Sequence, residues 1–353
     1  MLYVGLDFHK YFSFVTVMDG RGEILKRAKL QNHPDTLLYF FGQLEDEVMV
    51  AVEATWNWYW LQELFENHHI PMKLVHPQRA KAIASARIKT DKIDSEILAH
   101  LLRTDLLPEA YICTKETRLL RERLRYRASL VRLRAQLRNK LHALVAKNGL
   151  RLPNQNILSR KSLSYLKEIP LADAFRQAID GYLRVVELLG EEIERVSVTI
   201  ASQTHQDPRA LRLTELYGIG SYLALLIVAE IGDITRFSRA KSLCAYAGIV
   251  PSLHCSGQTS YTASITKQGS KWLRWALVEA AQHIHQKPPF DRFYQRVKSR
   301  RGPKIARVAV ARKLCTTIYH MLVEEENAKV IVSQHSDRVG QTRRGHGFIR
   351  PQV

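Results

Sequence analysis

The sequence has few cysteines and no long apolar run. Its four cysteines are widely spaced and form no CxxC or Cys/His pattern: Cys113, Cys244, Cys255 and Cys315. This absence argues against a structural zinc site or a disulfide framework and favours a reducing compartment. No stretch approaches the roughly 20 apolar residues of a membrane span, and MLYVGLDFHK does not resemble a signal peptide. We therefore expect a cytoplasmic protein without a membrane partner.

Acidic residues are scarce relative to basic ones. The chain of 353 residues has 53 Lys and Arg against 34 Asp and Glu, which gives a net charge of +19. Such a bias predicts a polyanionic partner, most simply nucleic acid. At roughly 100–200 residues per domain, this length allows two or three domains.

The first hundred residues alternate strand-like and helix-like patterns. LYVGLDF, FSFVTVMD and EILKRAKL predict three consecutive strands, and VMVAVEA and MKLVHP predict two more. Helical patterns precede and follow VMVAVEA, and another begins near Thr90. This order is that of the ribonuclease H superfamily, so we expect an α/β domain with a mixed sheet.

Four carboxylates fall where this fold would bring them together. Asp7 and Glu53 end two strands that we expect to be parallel neighbours, while Asp91 and Asp94 share one helical face at i,i+3 spacing. Asp91 and Asp94 have a simpler interpretation as helix-capping residues. Other acids, namely Asp19, Glu96 and Asp105, compete for the same role.

Four clustered carboxylates would repel one another, and a divalent ion relieves that repulsion. Mg²⁺, for which Mn²⁺ could substitute, prefers oxygen ligands and can activate a phosphodiester. We therefore predict a metal site formed by Asp7, Glu53, Asp91 and Asp94. Lys89 and Lys92 would contact flanking phosphates.

Residues 115–147 predict a long basic helix. Leucines recur at spacings of three and four, as in a coiled coil, and eleven Lys and Arg accompany only two Glu. A second helical pattern over 171–204 is acidic, so an antiparallel hairpin with paired charges is one interpretation. We also predict that Arg132, Arg134 and Arg138 bind nucleic-acid phosphates.

Several sequence blocks resemble a known family. GLDFHK, VEAT and KTDKIDSEILAHLL are similar to the DEDD transposases of the IS110 family of insertion sequences, which are related to Piv-type DNA invertases. LYGIGSYLALLIVAEIGDITRFSRAKSLCAYAGIVPS and SGQTSYTASITKQGSKWLRWALVEAA resemble the C-terminal domain of the same family. Two sets of blocks therefore agree in their order along the chain.

The resemblance implies a domain order and a nucleophile. We expect a RuvC-like catalytic domain at 1–110, a helical coiled-coil region at 111–206, a mainly helical transposase domain at 207–330 and a flexible basic tail at 331–353. Ser256, in HCSGQ, would form a covalent link to DNA, although Ser252 and Ser260 are rivals and a turn residue is the simpler interpretation. Lys267 and Arg274 would contact phosphates.

The resemblance also implies partners. We expect donor and target DNA, a guide (bridge) RNA and, through the coiled coil, a homodimer or tetramer acting at the prokaryotic nucleoid. The nearest alternative is a metal-dependent nuclease or Holliday-junction resolvase that uses water as its nucleophile. A sugar kinase would need a second glycine-rich phosphate loop, and a nucleic-acid scaffold would not need four carboxylates.

Overall fold

The computed structural model describes the backbone of residues 1–83, 90–256 and 259–344, and the side chains of these residues except 253–263 and 327–344. The chain divides into two compact units, residues 1–113 and residues 114–353. The four-part division expected from the sequence stays a prediction. In the described part, no helix is both long and apolar enough to span a bilayer.

The N-terminal unit is built on a mixed six-stranded sheet. Its strands are β1 (Leu2–Phe8), β2 (Phe12–Met18), β3 (Ile24–Gln31), β4 (Val48–Glu53), β5 (Met72–Val75) and β6 (Glu109–Ala110), in the order β3-β2-β1-β4-β5-β6. Strand β1 is antiparallel to β2 and parallel to β4. In the described residues of this unit the strands are connected by the helices α1 (Pro34–Gly42), α2 (Trp58–Asn67), α3 (Pro77–Ile83) and α4 (Asp91–Arg103). The predicted α/β class is thus confirmed.

The two faces of the sheet are covered differently. One face forms a fully apolar core that includes Val4, Leu6, Val15 and Phe65. On the other face α4 packs directly against β1, and Gly5 is the residue that allows this close approach. A Cβ atom at Gly5 would lie 1.9 Å from the backbone oxygen of Ser95, well inside van der Waals contact.

The C-terminal unit is mainly helical. Its helices are α5 (Lys115–Lys147), α6 (Arg160–Glu168), α7 (Asp173–Gln206), α8 (Pro208–Leu213), α9 (Ser221–Ile231), α10 (Ala240–Tyr246), α11 (Lys271–Ile284), α12 (Phe290–Arg301) and α13 (Pro303–Arg344). Strands β7 (Pro251–Ser256) and β8 (Thr259–Ile265) form an antiparallel pair.

Helices α5 and α7 form the expected antiparallel hairpin. The hydroxyl of Tyr126 donates to Glu192 at 2.9 Å, whereas Lys140, further along α5, lies over the ring of Tyr182, earlier in α7. The leucine seam is only partly buried, because Leu130 and Leu141 lie in the core while Leu133 is 48% exposed. The hairpin therefore has an apolar surface left open to solvent.

Helix α9 forms the centre of the C-terminal core. Its sequence is apolar on all sides, as expected for a helix surrounded by protein. The exception is Glu230, whose buried carboxylate accepts hydrogen bonds from Arg125 at 2.9 Å and Ser270 at 2.8 Å. These contacts connect α9 to α5 and to the start of α11.

Helix α13 continues past residue 330, into the segment for which the sequence predicted a flexible tail. Residues 331–344 contain no proline and a single glycine, so nothing in their sequence forces the helix to stop. The rest of the predicted tail, residues 345–353, lies outside the described residues.

Candidate metal centre and nucleic-acid interface

The first two carboxylates lie at one edge of the sheet. Asp7 is near the end of β1, and Glu53 is the last residue of β4. The two strands are parallel neighbours, with Leu6 opposite Val52, so the next residues of each strand emerge side by side. The sequence predicted this position for Asp7 and Glu53.

The other two carboxylates lie in the first turn of α4. Thr90 caps this helix by accepting a hydrogen bond from the backbone nitrogen of Ile93. Ser95, one turn later, contacts β1 at Gly5 and hydrogen-bonds Thr16 of β2 at 2.8 Å. The close packing at Gly5 therefore places the first turn, with Asp91 and Asp94, over the end of β1.

The carboxylates act on one another electrostatically. The pKa of Asp7 is raised from 3.8 to about 6, mainly by burial and also by the negative charges of Asp91, Asp94 and Glu53, while His9 opposes this rise. The Asp7 side chain is only 11% exposed, so water screens this repulsion poorly. The cluster thus favours a bound cation.

His9 is a member of the cluster that the sequence interpretation missed. Its Nε2 atom lies 3.1 Å from a carboxylate oxygen of Asp7 and 3.3 Å from one of Asp91. Ligand atoms of these three residues all lie within 4.8 Å of one another. The signal was available in GLDFHK, because i,i+2 spacing at a strand end places two side chains on one face.

Two asparagines fix the backbone at His9. The side-chain amides of Asn32 and Asn57 each donate a hydrogen bond of 2.8 Å to the His9 carbonyl. Ser13 and Thr55 in turn donate to the amide oxygens of these asparagines, at 2.6 and 2.7 Å. The position of the imidazole is therefore supported from two directions.

Two of the competing acids, Asp19 and Glu96, have other partners. Asp19 caps the turn between β2 and β3 by accepting from three backbone nitrogens, which lowers its pKa. Glu96 forms a salt bridge with Arg27. Asp105 follows the end of α4 in a left-handed conformation, with φ of 55°.

The predicted phosphate contacts have varied surroundings. Lys92 and Lys267 are exposed, while Lys89 lies outside the described residues. Arg274 donates to the carbonyls of Ala247 and Lys267, at 3.1 and 3.0 Å, so it stabilises a loop of the protein itself. Its contact with nucleic acid stays a prediction, as do those of both lysines.

Ser256 is the last residue of β7, opposite Thr259 of β8. Its backbone is described, whereas its side chain and residues 257 and 258 lie outside the described part. The role of Ser256 as a nucleophile therefore stays a prediction.

Helix α5 uses part of its positive charge within the protein. Arg121 is buried and donates to the backbone carbonyls of Ala229 and Glu230. Further along the helix Arg132 is exposed, Arg134 is half-buried, and Arg138 is half-buried and donates to Asn156 at 3.2 Å. Since Arg123 in the first half is exposed as well, accessible cations occur in both halves of α5.

Two family profiles match this chain. Residues 4–147 match a profile for DEDD transposases of the IS110 type, described as "Transposase". Residues 210–295 match the profile described as "Transposase IS116/IS110/IS902 family". The two matches do not overlap, and between them they cover most of the first compact unit and parts of the second.

Individual relatives are similar along most of their length. A "Probable family 20 transposase" of Pseudomonas aeruginosa is 26% identical over 91% of this chain and 97% of its own length. The "Transposase for insertion sequence element IS1111A" of Coxiella burnetii is 26% identical over 92% of this chain and 90% of its own. A "Pilin gene-inverting protein" of Moraxella bovis is 28% identical over 77% of this chain and 79% of its own.

Proposed function

Because this chain belongs to the IS110 family of transposases, we propose that it cuts and rejoins DNA during the movement of an insertion sequence. The carboxylate cluster at the sheet edge is the observation that carries this proposal. The imidazole of His9 contacts the carboxylates of both Asp7 and Asp91. The negative charges of Glu53 and Asp94 raise the pKa of Asp7. In a basic protein, this concentration of carboxylates is suited to a bound cation, and phosphodiester chemistry uses such a site.

The donor atoms fit a divalent ion. Asp7, Glu53, Asp91 and Asp94 supply the oxygen ligands that Mg²⁺ prefers, and His9 adds a nitrogen that Mn²⁺ also accepts. When bound, the ion would neutralise the carboxylates and polarise a phosphodiester. Asp7 and Asp91 would hold it, and Asn32 and Asn57 orient His9 through its backbone carbonyl.

Ser256 is our proposed nucleophile. Its Oγ gives up its proton and forms a phosphoserine ester while the bond from phosphorus to a deoxyribose oxygen breaks, and the leaving oxygen takes up one proton in exchange. Attack of a second deoxyribose hydroxyl on this ester frees Ser256 and reseals the strand without ATP. The resemblance of the CSG loop to family members supports this role, and a serine needs activation of the kind that a metal site can supply.

We propose that a guide RNA determines which donor and target DNA sequences are recognised. The accessible cations in the second half of α5, Arg132, Arg134 and Arg138, can bind phosphates without reading bases. Pairing between the guide RNA and the donor and target DNA would then supply the specificity. The net charge of +19 is consistent with a protein that holds RNA and DNA together.

A second copy of the chain is the proposed partner of the helical hairpin. Leu119, Tyr126 and Leu133 are exposed on α5 at intervals of seven residues, and Leu188 and Val198 are exposed on α7. Intervals of seven place side chains on one face of a helix, which is the arrangement of a coiled-coil seam. A homodimer or tetramer would cover this stripe.

The proposal is tested by trapping the covalent intermediate. Full-length protein, guide RNA, DNA and Mg²⁺ should give a protease-sensitive DNA adduct that maps to Ser256. Ser256→Ala should bind both nucleic acids and form no adduct, while the neighbouring Cys255→Ala should form it normally. Cleavage at the normal rate by Ser256→Ala would show that water is the nucleophile, as in a resolvase.

A further inference from the structure

The C-terminal unit contains an open cleft of which only one lining residue, Arg132, has a role in the function proposed above. It lies between α5, α9 and α11 and has a volume of about 400 Å³. Its lining combines three aromatic rings with three cations: Tyr222, Trp272, Trp275, Arg127, Arg132 and Lys271. We call it the tryptophan cleft.

The rings in the tryptophan cleft leave an indole accessible. Trp275 is 42% exposed, and it meets Tyr222 and Trp272 at steep angles, with centroid distances of 6.3 Å in both cases. A hydrogen bond holds Tyr222 in position, because its hydroxyl donates to the carbonyl of Leu124 at 3.1 Å. Burial also raises the pKa of Tyr222 to about 12, so its phenol stays neutral.

The charges of the tryptophan cleft are all of one sign. The Arg127 guanidinium lies 4.3 Å from the centre of the Tyr222 ring and donates to Ser197 at 2.8 Å. Arg132 and Lys271 are exposed, and no carboxylate belongs to the lining among the described residues. The aromatic rings and the cations together suit a ligand that has a planar part and an anionic part.

We propose that the tryptophan cleft binds an unpaired nucleotide, with its base on Trp275 and its phosphate at Arg132 and Lys271. Bases in a duplex are already stacked on one another, so only an unpaired base can offer its face to an indole. An apolar ligand would not need the three cations. The proposal builds on the transposase function, in which both the guide RNA and the opened DNA would present single strands.

Stacking and phosphate contacts respond differently to salt, which allows a sharp test. Binding of fluorescein-labelled oligo(U), oligo(dT) and a blunt DNA duplex to the full-length protein would be measured in chelator, at several salt concentrations. Trp275→Ala should weaken single-strand binding about 5- to 100-fold with an unchanged salt slope, because stacking releases no counterions. Arg132→Gln should lower the slope by about one unit.

Matched variants separate stacking from general damage. Trp275→Phe keeps an aromatic face and should retain most of the affinity, while Trp56→Ala removes a tryptophan that is 76% exposed in the N-terminal unit and should have no effect. A larger loss on oligo(U) would assign the cleft to RNA, and one on oligo(dT) to unpaired DNA. Unchanged single-strand affinity in Trp275→Ala, or equal losses on the duplex, would overturn the proposal.

The test is independent of cleavage. Binding is measured in chelator, so a failure to form the Ser256 adduct would refute the proposed chemistry and leave the measurement at the cleft interpretable. Conversely, normal adduct formation together with unchanged binding by Trp275→Ala would refute the cleft alone. Thermal melting of Trp275→Ala verifies that its fold is intact.

Discussion

At the scale of single residues, Asp7 connects the geometry of the sheet edge with a measurable pH dependence. Its pKa is about 6 in the folded protein, against an ordinary value of 3.8 for an aspartate, so the folded state holds an additional proton between these pH values. Without metal, the free energy of unfolding should therefore fall as the pH rises through this window, and stay low above it.

A divalent ion should reverse this loss, because it binds the ionised carboxylate. Mg²⁺ should raise the melting temperature clearly at about pH 7.5 and little at about pH 5. In Asp7→Asn, the increase at the higher pH should largely disappear. Equal stabilisation by Mg²⁺ at both pH values, or in the variant, would contradict the assignment of Asp7 as a ligand.

His9 provides a second prediction at this scale. It contacts both Asp7 and Asp91, so His9→Ala should lower the affinity for Mn²⁺ about 10- to 100-fold, whether the imidazole is a ligand or orients one. Calorimetric titration measures this. The matched control is His33→Ala, which removes an exposed imidazole 3.5 Å from Asp35, outside the cluster. Similar Mn²⁺ affinity in both variants would exclude His9 from the site.

Single residues also show where sequence interpretation reaches its limit. Asp7 and Asp91 could be placed together because strand ends and helical spacing follow from local patterns. His9 was missed because the search for oxygen ligands considered carboxylates only. The hydrogen bonds of Arg274 could not be predicted, since its acceptors at Ala247 and Lys267 depend on how a loop folds around it.

At the scale of elements, the packing of α4 on β1 determines whether the carboxylates meet. Gly5→Ala would force a methyl group against the backbone at Ser95, so β1 and α4 would have to separate. We expect a loss of about 1–3 kcal/mol or more in the free energy of unfolding. Urea denaturation measures the free energy of unfolding. Mn²⁺ titration should show weaker binding, because the first turn of α4 moves away from Asp7.

The control for this prediction is Gly20→Ala. A Cβ atom at Gly20 would meet nothing within 4 Å, so this variant should be close to the wild-type protein in both measurements. If Gly5→Ala had the same stability and Mn²⁺ affinity as Gly20→Ala, there would be space for a methyl group between β1 and α4. The close packing at Gly5 would then not determine the geometry of the metal site.

The strands and helices were the features of this protein that the sequence predicted best. The alternation of apolar patterns gave the strand order around β1, and the leucine spacing gave α5 as Lys115–Lys147. The burial of Arg121 was not predictable, because a basic residue on a basic helix looks solvated until the carbonyls of α9 are placed against it. The sequence did not predict that α13 continues past residue 330, and the flexibility expected of the tail from its polar composition stays a prediction.

At the scale of the whole molecule, the exposed stripe on the hairpin predicts self-association. Replacing Leu133 and Leu188, which are 48% and 64% exposed, by glutamate should shift the protein to a smaller species in light scattering. The control is Leu106→Glu, which alters a leucine that is 60% exposed in the N-terminal unit. An unchanged mass in the double variant would exclude the hairpin as the interface.

Self-association raises the question of which chain completes each active site. The proposed metal ligands and Ser256 belong to different compact units, so the two parts of one site can come from one chain or from two. Inactive variants distinguish these arrangements when they are mixed. Ser256→Ala keeps the carboxylates and loses the nucleophile, whereas Asp91→Asn keeps the nucleophile and loses a ligand.

We expect the mixture of Ser256→Ala and Asp91→Asn to regain adduct formation. In a mixed dimer with shared sites, one of the two sites receives intact carboxylates from one chain and an intact serine from the other. Random exchange makes about half of the dimers mixed, so about a quarter of the wild-type sites should be active. Each variant alone should give none, and the adduct should lie only on the Asp91→Asn chain. No activity after verified subunit exchange would mean that each chain builds its own site.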